Sequence, residues 1–304
     1  MLKNLHWLLL SFGAFIGTTL PVIAQTCGIP GKDGPGTISG NINTYYVTNA
    51  TGTVGPGSTS IPLGSPIGAI ATPSPGDLFA IIQMQCATIN TSNTNNYGAN
   101  NGTGRGYTGA AASCLAGQYQ YLRAGPGTTA TSLDLTGSPL TASYTQDALA
   151  TTNRRTYQII KVPQYSSATL TGNVTAPYWD GTSGGVVLLD VAGTLNMGGF
   201  TIDVSGRGFR GGGGQVWNNT ADSARTFVTA SNTTTNLAAF KGEGIAGTPA
   251  SVYNQQTNTV VATGTDYTGG GQGIGAPGNA GGGGDNWNGV RDNGGGGGGA
   301  NGAN

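Results

Sequence analysis

Glycine dominates what this chain can become, since 57 of its 304 residues carry no side chain. In a helix interior each glycine costs about 1 kcal/mol relative to alanine, and the glycines here interrupt every stretch long enough to make an amphipathic helix. No apolar stripe of 3.6-residue period survives them. Short apolar or alternating runs separated by Gly, Pro and Asn remain, which predicts an all-β chain. Charged residues make up 8% of the sequence and apolar residues 37%. A modest core is therefore attainable only if its apolar side chains are concentrated in those runs.

The N-terminus reads as an export signal over residues 1–24. Lys3 supplies the positive start, Trp7 to Ile16 is largely apolar, and Val22, Ile23 and Ala24 end it in a cleavage-like pattern. The apolar run is shorter than the ~20 residues a membrane-spanning helix needs, so a mature chain starting near Gln25 is expected, secreted or held at the cell surface. Without Lys3, 11 basic residues face 12 acidic ones, a net charge of −1 with no patch to steer nucleic acid. No membrane span is expected in the mature chain.

Cleavage also removes His6, the one histidine. Histidine-dependent nucleophilic catalysis and imidazole zinc sites are thereby excluded, and three cysteines cannot build a four-thiolate site. Glu243 is the sole glutamate, so a carboxylate-pair hydrolase would have to use aspartates. Among the cysteines, Cys86 and Cys114 bracket a segment rich in Asn, Thr and Gly, and a bridge between them would tie that loop down. Cys27 is then left over, although three pairings are open. Lipid modification of Cys27 is disfavoured by the bulky Gln25 before it.

Strands are expected at Thr37 to Thr48, Asp77 to Ile89, Gln118 to Ala124, Arg154 to Val162, Ala168 to Thr175, Val186 to Val191, Thr194 to Met197 and Phe200 to Ser205. In the second, Leu78, Ala80 and Ile82 share one face and Phe79 and Ile81 the other, with Gln83 and Gln85 turning that second face polar. Val186 to Val191, apolar on both faces but for Asp190, is expected to be the most buried strand. From there to Gly206 the glycine corners suggest a parallel β-solenoid with Leu195, Met197, Phe200, Ile202 and Val204 inward. An antiparallel sandwich meander fits the same pattern, and better fits the more irregular stretch before it.

Two regions follow from these readings: a β-rich domain over residues 25–205, an irregular β-sandwich or β-solenoid, and a glycine-, Asn- and Thr-rich region over 206–304 expected to be flexible. Packing of the glycine runs as polyproline-II strands is the alternative, but the Gly-X-Y period of collagen is missing. Gly206 to Gly211 satisfies GxGxxG after a strand, yet more glycines follow where a dinucleotide fold needs a helix. No cofactor is expected. Gly281 to Asn286 approaches a calcium-binding repeat turn, with Asp285 and Asp292 as the best ligands, but it occurs once, and no metal site is assigned. Asp190, Asp203, Arg207 and Arg210 lie close enough in sequence to suggest a polysaccharide-active face, with Tyr178 and Trp179 as the only aromatic pair near it.

The strings TISGNINTYY (Thr37 to Tyr46), PGDLFAIIQMQ (Pro75 to Gln85) and VPQYSSATLTG through GGVVLLDVAGTLNMGGFTIDVSGRGFRGG (Val162 to Gly213) resemble the N-terminal modules of large exported bacterial surface proteins. The last is also similar to β-helical modules of haemagglutinin-like adhesins. The resemblance implies an exported, surface-associated structural or adhesive role; the missing histidine, the single Glu and the lack of a complete metal or nucleotide motif make a non-enzymatic role the expectation, with cell-surface glycans or other surface proteins as partners. It transfers no catalytic residue. A glycan-binding module and a β-helical polysaccharide-active enzyme using aspartates are the alternatives.

Overall fold

The computed structural model describes residues 28–47, 51–97, 106–110, 115–216, 226–228, 238–285 and 295–299. The export signal, Cys27, Cys114 and Asp292 lie outside the described residues. Within them the chain is all-β, with no helix, several small sheets and no closed barrel. In chain order the strands are β1 (Pro35–Asn41), β2 (Thr44–Tyr46), β3 (Gly52–Val54), β4 (Ser60–Pro62), β5 (Pro66–Gly68), β6 (Leu78–Gln85), β7 (Ala87–Ile89), β8 (Tyr107–Ala110) and β9 (Tyr119–Arg123). There follow β10 (Ser132–Asp134), β11 (Tyr144–Gln146), β12 (Thr156–Val162), β13 (Gln164–Tyr165), β14 (Ser167–Thr175), β15 (Asp190–Val191), β16 (Leu195–Asn196), β17 (Ser251–Asn254) and β18 (Thr259–Ala262). No helix among the described residues is long and apolar enough to cross a membrane.

An antiparallel sheet in the order β5-β2-β12-β6-β9 carries the main core. The period-2 alternation expected of β6 holds. Phe79 and Ile81 pack with Tyr46, Leu122, Tyr157 and Ile159 against Ile61, Leu133 and Tyr144, which β4, β10 and β11 bring across one face. Leu78 and Ala80 point to the other face, joining Val162 and the segment around Leu188. The polar end of β6 is buried as well. Gln83 is wholly buried, donating through Nε2 to the Thr145 carbonyl at 2.9 Å and accepting from the Thr145 N–H at 2.8 Å. Its amide thus pairs with the backbone of β11 as another strand would.

The same device corrects the reading of Val186 to Val191. Only Asp190 and Val191 are strand, and the run is half-buried; β2 and β11, buried at every residue, and the long β6 and β12 are more enclosed. The Leu188 backbone is bound on both sides by the Asn43 amide, at 2.6 and 3.0 Å, and the Gly184 backbone by the Gln158 amide, at 3.2 and 3.0 Å. With its hydrogen bonds taken by side chains, this segment has no sheet partner over most of its length.

Parallel pairing does appear beside it, β1-β14-β16 forming a three-stranded sheet, with a further bridge from Val174 to Ile202 and a parallel pair between β13 and β15. Leu195 and Ile202 pack on the cluster of Ile38, Ala168, Leu170 and Val174. Met197, Phe200 and Val204, expected inward, are instead exposed at 38, 38 and 39%. The tight turn from Met197 to Phe200, built on left-handed Gly198 and Gly199, turns these side chains away from the cluster. Phe200 to Ser205 is not a strand but makes a single bridge.

In the described residues of 206–304, the stretches 238–250 and 271–280 are mostly buried, and the backbone is hydrogen-bonded to its neighbours. The N–H groups of Ala239 and Gly242 donate to Gly284 and Gly281 of one antiparallel stretch, at 2.7 and 2.8 Å, while those of Phe240 and Lys241 donate to Gly213 and Gly271. Gly281 and Gly284 in turn donate to Gly298 and Gly295. Residues i and i+3 therefore address the same neighbour, the threefold disposition of polyproline II and not the twofold one of a β-strand. Collagen needs its period because only one position in three faces a crowded axis. Here a chain is flanked on several sides, and runs of glycine satisfy all of them at once.

Contacts between these stretches leave no room for a side chain. A Cβ on Gly242 would lie 1.8 Å from the Gly298 carbonyl oxygen, and one on Gly297 would lie 2.2 Å from that of Gly281. On Gly295 or Gly298 it would meet nothing within 4 Å. Glycine is required here by proximity of backbone to backbone.

Candidate functional site

The segment from Pro177 to Gly185 is one of several places where the β-rich domain touches the residues after Gly206, the Trp179 N–H donating to the Arg207 carbonyl here and the Ala87 N–H to that of Ile245 elsewhere. Asp180 holds its turn, its Oδ1 accepting from the Thr182 N–H at 2.7 Å, the Thr182 hydroxyl at 2.6 Å and the Ser183 N–H at 3.0 Å. Gly181, Gly184 and Gly185 all have positive φ. Fixed in this way, the segment separates two cavities.

The first has a volume of about 350 Å³ and is walled by Ile82 and Met84 of β6, Trp179, Val186, Phe209 and Ile245, with Gln83 and Asn279 at its polar margin. Among the described residues no ionisable side chain lines it. Trp179 is buried and packs edge-on to Phe209, with ring centroids 5.4 Å apart. Its indole Nε1, also buried, has no hydrogen-bond partner among the described residues. Asn279 uses Oδ1 to accept from the Ile245 N–H at 3.1 Å. Next to the cavity the Arg207 guanidinium lies 3.7 Å from the centre of the Tyr178 ring.

The second cavity is smaller, about 160 Å³, and polar, with Arg154, Asp180, Gly181, Arg210 and Thr248 in its wall. Arg210 donates from Nε and Nη2 to the two oxygens of Glu243, both at 2.9 Å. Glu243 is wholly buried and also accepts from the Thr248 hydroxyl at 2.6 Å. Sequence reasoning noted Glu243 only for being the sole glutamate. That an acid sits inside a glycine-rich run was the available signal, because nothing else there could answer a buried arginine.

Lys241, two residues earlier, is also wholly buried. Its Nζ donates to the carbonyls of Phe227, Gly273 and Gly275, at 2.6, 3.1 and 2.6 Å, and lies 4.6 Å from the centre of the Tyr97 ring. Burial pushes its ammonium down to about 7. Nothing in the sequence marks this lysine, since its acceptors are backbone atoms.

The acids and arginines suggested as a polysaccharide-active face fall into separate local structures. Asp190 lies in β15 opposite Gln164, and Arg210 is joined to Glu243. Asp203 is exposed and accepts from the Ser205 N–H, and Ser205 holds its carboxyl below the ordinary value. Arg207 stacks on Tyr178. Asp285, the described half of the calcium pair, accepts from the Thr226 N–H at 3.2 Å and bridges to Ala238. Gly206 to Gly211 leads into the glycine array, where Gly212 donates to Gly297. Among the described residues no group of three or more His, Cys, Asp or Glu side chains could hold a metal ion.

Cys86 is buried, at 3% exposure. Both of its candidate partners lie outside the described residues. No family model, no curated protein and no solved structure matches this chain.

Proposed function

We propose that the protein is an exported surface or extracellular-matrix module with a structural and adhesive role, binding an uncharged ligand such as a neutral glycan without turning it over. The observation that carries this reading is the cavity beside Trp179, which is of ligand size, mostly apolar, and free of ionisable side chains among the described residues. A ligand with an apolar face and uncharged polar groups suits such a wall. Further support comes from the way charges are committed elsewhere. Asp77 is joined to Lys32 and Lys161, Asp147 to Arg155, and Glu243 to Arg210, each an internal brace. Export, the likeness to adhesin modules and the solenoid-like reading of the parallel strands belong to the same proposal.

A panel of neutral oligosaccharides tested by calorimetry against the secreted chain checks this reading. Binding should weaken at least tenfold in Met84→Asp, which sets a charge in the apolar wall, with folding of the variant checked by its melting curve. Release of product sugars that is abolished by Asp190→Ala or Asp203→Ala with folding intact would replace the adhesive reading with the enzymatic one.

A further inference from the structure

The hairpin of β17 and β18 leaves one edge of its sheet open. On its inner side β17 is bonded to the glycine array, the Tyr253 N–H donating to the Gly211 carbonyl and the Gly213 N–H to that of Ser251. Ser251 and Tyr253 therefore turn their backbone groups toward the array, and Val252 and Asn254 turn theirs toward Val261 and Thr259 of β18. The Thr263 N–H, donating to the Ala250 carbonyl at 3.0 Å, continues the same alternation. The N–H and C=O of Val260 and Ala262 thus point away from β17, and among the described residues they have no partner.

Natural strand edges are kept from pairing by charged side chains, proline or a bulge. None of these guards β18. From Ser251 to Thr265 there is no charged residue and no proline, and β17 and β18 pair without a shift of register. Beside the open edge an apolar pair is also uncovered, since Tyr253 and Val260 lie directly opposite each other and are 39 and 53% exposed. At the other end of the strand Leu149, 61% exposed, shares the wall of the smaller cavity with Ala262.

An antiparallel edge is complementary to itself. A twofold axis through Val261 sets Val260 opposite Ala262 of the second copy, and Ala262 opposite its Val260, with each pair exchanging both of its backbone hydrogen bonds. We propose that two copies of this chain join through β18 in this way. Opposed side chains share a face, so Tyr253, Val260 and Ala262 of the two copies then form one apolar strip. Pairing uses up the open edge of both copies, and the assembly closes at the dimer instead of growing into a fibre. A four-residue strand buries far less than the ~1,200 Å² at the lower end of stable interfaces, which makes the association weak and reversible. The dimer forms whatever the cavity beside Trp179 binds.

Sedimentation velocity of the secreted full chain across a wide range of concentration, after removal of any disulfide-linked species, tests this. The mass should rise with concentration from one chain to two and go no further. Val260→Pro deletes an N–H that serves nothing within the hairpin, so it should weaken association at least tenfold with the hairpin's own hydrogen bonds intact. Val260→Lys brings like charges together near the axis, and should weaken association as much at low salt and less at high salt. Should neither variant fold, amide exchange in the unaltered protein decides. The Val260 and Ala262 amides should exchange at least tenfold more slowly in concentrated than in dilute solution, while Val261, already bonded to Val252, exchanges alike in both. A single-chain mass at every concentration, assembly beyond the dimer, full association by a folded Val260→Pro, or unchanged exchange at Val260 and Ala262 would overturn the proposal.

Discussion

Replacing Gly242 by alanine tests the glycine array at its tightest point. The added Cβ would stand 1.8 Å from the Gly298 oxygen, whereas ordinary contact begins near 3.4 Å, so the neighbouring stretch must retreat by more than an ångström. Such a shift disturbs the hydrogen bond from Gly242 to Gly281 and that from Gly281 to Gly298, both 2.8 Å. Overpacking costs about 1–3 kcal/mol and each weakened bond about 1 kcal/mol, against which alanine's smaller unfolded-state entropy returns about 0.4–1 kcal/mol. The net expectation is a loss of about 2–4 kcal/mol, or roughly 5–15 °C in melting temperature. Gly298→Ala is the control. It makes the same chemical change in the same array, but its Cβ would meet nothing within 4 Å, so it should leave stability level or raise it slightly. Calorimetric unfolding compares the two, and amide exchange at Gly281 and Gly297 reports whether the array itself loosens. If Gly242→Ala and Gly298→Ala melt together, the glycine stretches are not packed as described and the argument from proximity fails.

Burial lowers the Lys241 ammonium to about 7, so between there and about 10.4 the unfolded chain holds a proton that the folded chain has released, and stability should climb with pH by up to about 1.4 kcal/mol per unit. Melting curves from pH 6.5 to 9.5 should show that climb in the unaltered protein and lose it in Lys241→Met; a flat or falling profile would mean that the three carbonyls outweigh desolvation. Gln83→Leu strands both the N–H and the carbonyl of Thr145 in the core, and chemical denaturation should register a loss of about 2–4 kcal/mol, far above that of an exposed glutamine. For the cysteines, Ala110 pairs opposite Ala87 and the Gly117 N–H donates to the Gln83 carbonyl, so the chain on either side of Cys114 is held next to Cys86. Non-reducing peptide mapping should recover Cys86 linked to Cys114, and a Cys27 to Cys86 peptide would refute that pairing.

Alternation of Leu78, Ala80 and Ile82 against Phe79 and Ile81 was enough to read β6 and the two faces it fills, because a strand's side chains alternate whatever its neighbours are. The all-β class followed from glycine spacing for an equally local reason. The candidate sites were legible only in fragments: Tyr178 and Trp179 were marked as the one aromatic pair, while Arg154 was not marked at all. It lies in a cavity wall with Asp180 and Arg210, the latter paired to Glu243, and proximity of that kind has no signature in a linear chain. Val186 to Val191 was misjudged because apolar content reports a tendency to be buried and not which groups take the backbone's hydrogen bonds. There the Asn43 amide took them. The glycine runs make the same point in reverse. Taken alone they carry the highest conformational entropy a backbone can have, and nothing in the run from Gly294 to Gly299 distinguishes one position from the next. Tertiary structure makes the distinction, placing Gly297 against Gly281 and leaving Gly298 open, because a threefold chain turns each successive residue toward a different neighbour.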